Sequence, residues 1–160
     1  AELGHIVIEH NGRQCSCGRR GCWVAYSSAT GLINMTKEKL DECKEKGIPT
    51  LMTKLVEEEG KVSGKTAFAA MKQGDAPAKE VVDMYISYLG CGLSNIINIF
   101  QPEILVIGGG ICNEKHYLTD PLEVIIKQET YGNEAIKPTT LKIAELGNDA
   151  GIIGAAVLGL

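Results

Sequence analysis

The stretch "ELGHIVIEHNGRQCSCGRRGCW", residues 2–23, restricts this chain more than any other part of it. It crowds His5, Cys15, Cys17 and Cys22 into one short run, and any fold that joins them dictates how the backbone between them turns. Three chemistries use such a cluster: a disulfide staple, a redox pair or one four-coordinate metal site. Two cysteines one residue apart bridge only with strain, which disfavours a Cys15–Cys17 disulfide. The chain holds six cysteines without a secretory context, so they read as reduced thiols or metal ligands. Thiolates and an imidazole are the donors that zinc accepts in a closed tetrahedral site. Gly18 and Gly21 permit the tight turns that would aim Cys17 and Cys22 at one centre. The expectation is one structural zinc on His5, Cys15, Cys17 and Cys22, with unligated core cysteines as the alternative. Cys43, Cys91 and Cys112 lie in apolar or helical contexts and read as packing residues. His10 and His116 have no ligand partners at suitable spacing and read as surface histidines.

Composition narrows the function classes. A length of 160 residues suits a single domain over 1–160 with a sizeable core, and 44% apolar with 22% charged residues is ordinary for a globular chain. A net charge of −4 weighs against a nucleic-acid surface, and Arg19 with Arg20 is only a local basic pair. No apolar run is long enough to cross a bilayer and no signal peptide is recognisable, so a cytoplasmic location without membrane contact is expected.

The hydrophobic pattern predicts an α/β domain in which helices dominate. "GHIVIEH" alternates and is β-branched, which predicts a strand leading into the cysteines. A helix is expected from Trp23 to about Asn34, and another from Thr36 to Gly47. Two short helices follow with caps at Thr50 and Ser63. Asp75 is placed to cap a long helix whose apolar positions include Val81, Tyr85, Leu89, Leu93 and Ile97. "EILVIGGG", residues 103–110, reads as a buried strand covered on both faces and ending in glycines. A helix within Thr119–Glu129, a strand in "LKIAEL" and a terminal Gly- and Ala-rich helix capped by Asn148 or Asp149 complete the expectation.

Two motifs fail on spacing. "GKVSGKT", residues 60–66, has its glycines one residue too close for a phosphate-binding loop and no apolar strand before it. "GGGICN" carries Asn113 where a dinucleotide fingerprint needs its third glycine. Gly108, Gly109 and Gly110 nonetheless end a strand, where ligands of α/β proteins gather and where bare backbone lets a ring or phosphate approach. A tight turn without a ligand is the other reading of these glycines. The terminal Gly and Ala helix has a purely structural reading too, close packing on the sheet.

"ELGH", "CSCGRRGC", "PEILVIGGGI" and "GNDAGIIGAA", in this order and at these distances, resemble the ROK family of bacterial sugar kinases and sugar-responsive repressors. The resemblance covers essentially the whole chain, and "WVAYSSATGL" looks most like the glucokinases of that family. It implies an actin-like, ribonuclease-H-like sugar kinase fold, of which this chain would be the C-terminal lobe with its zinc knuckle. It further implies that Glu2 binds sugar hydroxyls, as an ionised carboxylate does well. His5 would ligate zinc beside the sugar, and Cys15, Cys17 and Cys22 would complete a site that braces the sugar loop. Gly108, Gly109 and Gly110 would pass beside the nucleotide. The implied partners are a hexose, foremost glucose, and Mg-ATP in the intact enzyme, with a homo-oligomer as the expected assembly. The intact enzyme would transfer the γ-phosphate to the hexose 6-hydroxyl by positioning and charge stabilisation.

Two departures from the family pattern matter. The lobe carrying the phosphate-binding glycine motif and the aspartate base is not in this sequence, nor is a second phosphate turn upstream of the glutamate. The chain is therefore expected to be a fragment, without a catalytic residue of its own and inactive alone. The family also continues its knuckle with a glutamate that contacts the sugar, where this chain has Val24. A hydroxyl deprived of its acceptor typically costs about 1–3 kcal/mol. Two other readings stand beside the kinase: the sugar-sensing domain of a ROK repressor, and a purely structural zinc module.

Overall fold

The computed structural model describes residues 2–132, 138–146 and 149–158. Their contacts divide into two compact units, residues 1–93 and 94–160. The first unit opens with a 3-10 turn at Leu3–His5 and continues through α1 (Val24–Ser27), α2 (Ala29–Lys46), α3 (Leu51–Glu59) and α4 (Thr66–Met71) into α5 (Ala76–Phe100). The second contains the last turns of α5, then β1 (Ile104–Ile107), a 3-10 turn at Gly110–Glu114, α6 (His116–Glu129), β2 (Thr140–Ile143) and α7 (Ala150–Val157).

In the first unit the helix boundaries follow side chains that cap. Ser28 is extended (φ −85°, ψ 168°) and its Oγ accepts from Gly31 N, which starts α2 there. The helix expected to begin at Thr36 is thus the middle of α2. Thr36 is buried and its hydroxyl donates to Leu32 O, one turn back, instead of capping. Gly47, at φ 65°, closes α2 in the left-handed conformation with Ile48 N donating to Cys43 O. Thr50 caps α3 as expected. Asp75 does more than cap α5. Its buried carboxylate accepts from Ala78 N (2.8 Å), from Leu51 N (2.6 Å) and from Thr50 Oγ1 (2.9 Å), so one side chain holds the starts of α3 and α5. Ser63 bonds the start of α4 only locally, its Oγ accepting from Lys65 N while its own N–H donates to Thr66 Oγ1.

The core of this unit gathers Leu32, Met35, Met52, Phe68, Tyr85 and their neighbours on α5, all buried. Each contributes about 1.5–3 kcal/mol on burial. Trp23 joins α5 by shape and by a bond, its indole N–H donating to Tyr88 O at 2.9 Å. Gly92 makes room for its ring, because a Cβ there would stand 1.9 Å from Trp23 Cε2. The strand expected in "GHIVIEH" does not form. Its backbone finds only an isolated antiparallel bridge, Val7 to Cys22, flanked by Ile8 N to Gly21 O and Trp23 N to Ile6 O. A β-branched run has no ladder to extend when its only partner is so short.

In the second unit β1 and β2 pair in parallel, with Ile104 opposite Thr140 and Ile107 opposite Ile143. The connecting α6 buries Leu118, Leu122 and Ile126. It begins at His116, one turn before the expected start. The expectation that β1 is covered on both faces is not met in this chain: Ile104 is 52% and Val106 57% exposed. α7 forms as expected, but the close packing on the sheet suggested by its glycines and alanines is absent, since Ile152, Val157 and Leu158 lie exposed. Asp149 stands at its N-terminus without a side-chain cap bond. The alternative cap, Asn148, lies outside the described residues.

Candidate functional site

The knuckle is a pair of crossed turns whose geometry only glycine permits. Cys15 and Gly18 close one turn (Gly18 N to Cys15 O, 3.0 Å), with Gly18 at φ 87°. Gln14 pairs with Arg20, and Gly21 N donates to Arg13 O at 2.8 Å. Gly21, at φ 80°, passes so close to residue 9 that a Cβ would fall 1.7 Å from Glu9 O. The chain cannot cross there with any other residue. Arg13 fixes the far side. Its backbone N–H donates to Tyr26 Oη, and its guanidinium lies over that ring while pairing with both carboxylate oxygens of Glu38 on α2.

His5 enters from the 3-10 turn Leu3–His5, closed by His5 N to Glu2 O at 3.1 Å. Gly4 lets that turn lie on α1, a Cβ there being 3.3 Å from Val24 Cβ. The result brings together all four expected ligands. His5 Nδ1 stands 3.5 Å from Cys15 Sγ, Cys17 Sγ stands 3.6 Å from Cys22 Sγ, and every donor atom lies within 4.8 Å of the others. Bonds of about 2.3 Å to sulfur and 2.0–2.1 Å to nitrogen give a zinc tetrahedron edges of about 3.5–3.8 Å. The donor set fits zinc in type and number, and the His5–Cys15 and Cys17–Cys22 separations match such edges. The electrostatics favour ligand character at one sulfur: the backbone N–H of Arg19, above all, holds the Cys17 thiol down to about 6. Burial pushes Cys22 the other way, so its thiolate needs a cation beside it.

The remaining cysteines stay apart from this cluster. Cys43 is buried on α2, and Cys112 donates from its thiol to Ile107 O. His10 and His116 are exposed. Glu2 heads the turn that carries His5, and its side chain is exposed and makes no cap bond. Val24, half-buried against Gly4, lines a concavity of about 550 Å³ beside the knuckle, together with Gln14, Cys15, Ser28 and Asn34. In the second unit Gly108, Gly109 and Gly110 follow β1 as expected. Gly109 adopts φ 98°, and a Cβ at Gly109 or Gly110 would meet no atom within 4 Å, so this backbone is open to approach. The same unit holds a cavity of about 420 Å³ walled by Asn98, Lys127, Tyr131 and Thr140. Sequence reading gave no sign of it, because its walls come from three separated segments.

Comparison with known proteins identifies the family and the fold. The ROK family model matches residues 1–160. A glucokinase from Thermotoga maritima is 39% identical over 157 residues, which are 98% of this chain and 48% of that protein. The xylose repressor of Bacillus subtilis is 27% identical over 155 residues, 96% of this chain and 35% of that protein. Among solved structures, a ROK family glucokinase from Streptomyces griseus, in complex with glucose and AMPPNP, superposes with a TM-score of 0.83 at 30% identity. It is matched over 99% of this chain and 50% of its own. The chain thus spans about half the length of the glucokinases it matches.

Proposed function

The chain belongs to the ROK family, and from that premise we propose that it forms the zinc-bearing C-terminal lobe of a glucokinase-like, actin-like sugar kinase. The observation that carries the proposal is the union of Glu2 and His5 in one turn, with His5 also closing a four-donor knuckle. Glu2 and His5 hold sugar hydroxyls, a hexose and foremost glucose. His5, Cys15, Cys17 and Cys22 hold one structural zinc, which fixes the sugar turn and takes no part in phosphoryl transfer. Gly108, Gly109 and Gly110 pass beside the nucleotide of Mg-ATP, which the bare backbone accommodates. The kinship to a glucokinase that binds glucose and AMPPNP supports both substrates.

The phosphate goes to the hexose 6-hydroxyl. The base and the phosphate-gripping turns that this requires have no counterpart among residues 1–160, so this chain by itself turns nothing over. The working protein is cytoplasmic and a homo-oligomer, and it uses this chain for neither nucleic-acid nor membrane contact. Among the described residues no helix is long and apolar enough to cross a membrane. Kinship to a xylose repressor favours one second reading, in which the same lobe senses a sugar for a transcriptional regulator.

A coupled assay on the full-length protein bearing these residues, run with glucose and other hexoses, tests the proposal. ATP-dependent phosphorylation of a hexose is expected. Sugar binding without turnover moves the assignment to the repressor, and neither binding nor turnover leaves only a structural zinc module.

A further inference from the structure

Of the two adjacent arginines in the knuckle, Arg19 alone bonds to candidate ligands, His5 and Cys15, and acts on the charges of the other two. Its guanidinium donates to His5 O and interacts electrostatically with the sulfurs of Cys22 and Cys17. Its backbone N–H favours the Cys17 thiolate electrostatically, and its carbonyl accepts from Cys15 N at 2.9 Å. Arg20 turns away, toward Gln14 Oε1 and Asn11 O, both at 3.4 Å.

We propose that Arg19 is a positioning residue of the metal centre, neutralising its excess charge and tying the carbonyl of His5 to the thiolates. This rests on the zinc reading above. Three thiolates and a neutral imidazole around a divalent ion leave one net negative charge, and Arg19 supplies the single positive charge that offsets it. Donors to ligand sulfurs withdraw charge from them and hold the tetrahedron in shape. The bond to His5 O has a second effect. It fixes the turn at Leu3–His5 from its backbone as well as from its imidazole, and Glu2 heads that turn. Arg19 therefore couples occupancy of the metal site to the position of the carboxylate proposed to meet sugar.

The test is zinc affinity of the purified chain, by competition with a chromogenic chelator, for the parent, Arg19→Ala, Arg19→Lys and Arg20→Ala. Loss of an outer partner typically weakens metal binding about 10–100-fold. Arg19→Ala is expected to lose tenfold or more, Arg20→Ala to match the parent, and Arg19→Lys to recover part of the loss in a salt-dependent way. Cobalt(II) bound in place of zinc gives a readout that a merely structural residue would not move. Its thiolate charge-transfer bands should shift in Arg19→Ala and stay unchanged in Arg20→Ala. If Arg19→Ala fails to fold, Arg19→Gln, which keeps the donors without the charge, carries the same comparison. Parent-like affinity and cobalt spectrum in the Arg19 variants overturn this inference alone. A parent chain that takes up no zinc overturns the zinc reading, and this inference with it.

Discussion

In the first unit Trp23, Tyr26 and Tyr85 are buried, and the polar end of each is satisfied: indole N–H to Tyr88 O, Arg13 N–H to Tyr26 Oη, and Tyr85 O–H to Ser27 O. In the second, Ile99, Phe100, Ile104, Val106 and Tyr131 face outward. The first unit closes on itself because helices can be tied by caps and by aromatic hydroxyls and indoles that reach neighbouring backbone. A parallel pair of strands has no such economy. Its residues point to two faces, one connecting helix covers only one of them, and parallel sheets are ordinarily covered on both. The unit that carries the knuckle is finished locally, whereas the glycine-ended strand sits in a unit with an open apolar face.

The sharpest way to break this contrast is to remove a donor of the proposed zinc. Structural zinc supplies on the order of 10 kcal/mol in small zinc domains. Cys17→Ala should abolish stoichiometric zinc by elemental analysis and lower the melting of the first unit, while amide exchange in α6 stays as it was. The pH dependence has a definite sign. The Cys17 thiol lies at about 6 instead of its ordinary 9.0, so its contribution is complete above the ordinary value and is lost as pH falls through about 6. Zinc competes with protons for these sulfurs and holds them deprotonated, so its retention should fall only on acidification below about 6, and full retention at pH 4 would contradict the site.

Next comes Asp75→Ala, which strips acceptors from two helix starts at once and should cost about 3 kcal/mol in urea denaturation. A loss under about 1 kcal/mol would mean that α3 and α5 are held by packing alone. Val24→Glu in the full-length protein should tighten hexose binding about tenfold, equivalent to about 1.4 kcal/mol, if a charge-assisted bond to sugar is recovered. Calorimetric titration with glucose checks it, and unchanged or weaker binding removes Val24 from the sugar site. The smallest effect is expected at Val106→Thr, on the open face of β1, where stability of this chain should move by less than about 0.5 kcal/mol. A larger loss there would show that the face is covered in solution.

Much of the first unit was legible because its signals are local. Thr50 and Asp75 read as caps from residue type and position, and the apolar spacing of α5 gave its length within a residue or two. The four candidate ligands were legible from residue chemistry and count, and their convergence depends on Gly18 and Gly21. What failed depended on partners distant in sequence. Ile6–Ile8 has strand composition, but only Gly21 to Trp23 lies opposite it. Thr36 has cap chemistry, but Ser28 had already started the helix and left Thr36 inside it. Ile104 and Val106 look like core in a strand read alone, and only the paired structure shows which face they occupy. Arg19 was weighed as charge, although its place in the knuckle depends on where a guanidinium can reach.

The crossing at Gly21 also bears on the order in which the molecule assembles. All four candidate zinc donors fall inside one short loop, whereas seating Trp23 on α5 joins residues 65 apart. By loop-closure entropy alone the longer closure costs about 1 kcal/mol more. Metal capture can therefore precede helix docking, because the loop from His5 to Cys22 by itself holds all four candidate donors. Zinc supply, in that event, acts on the folding of the first unit before Trp23 is seated on α5.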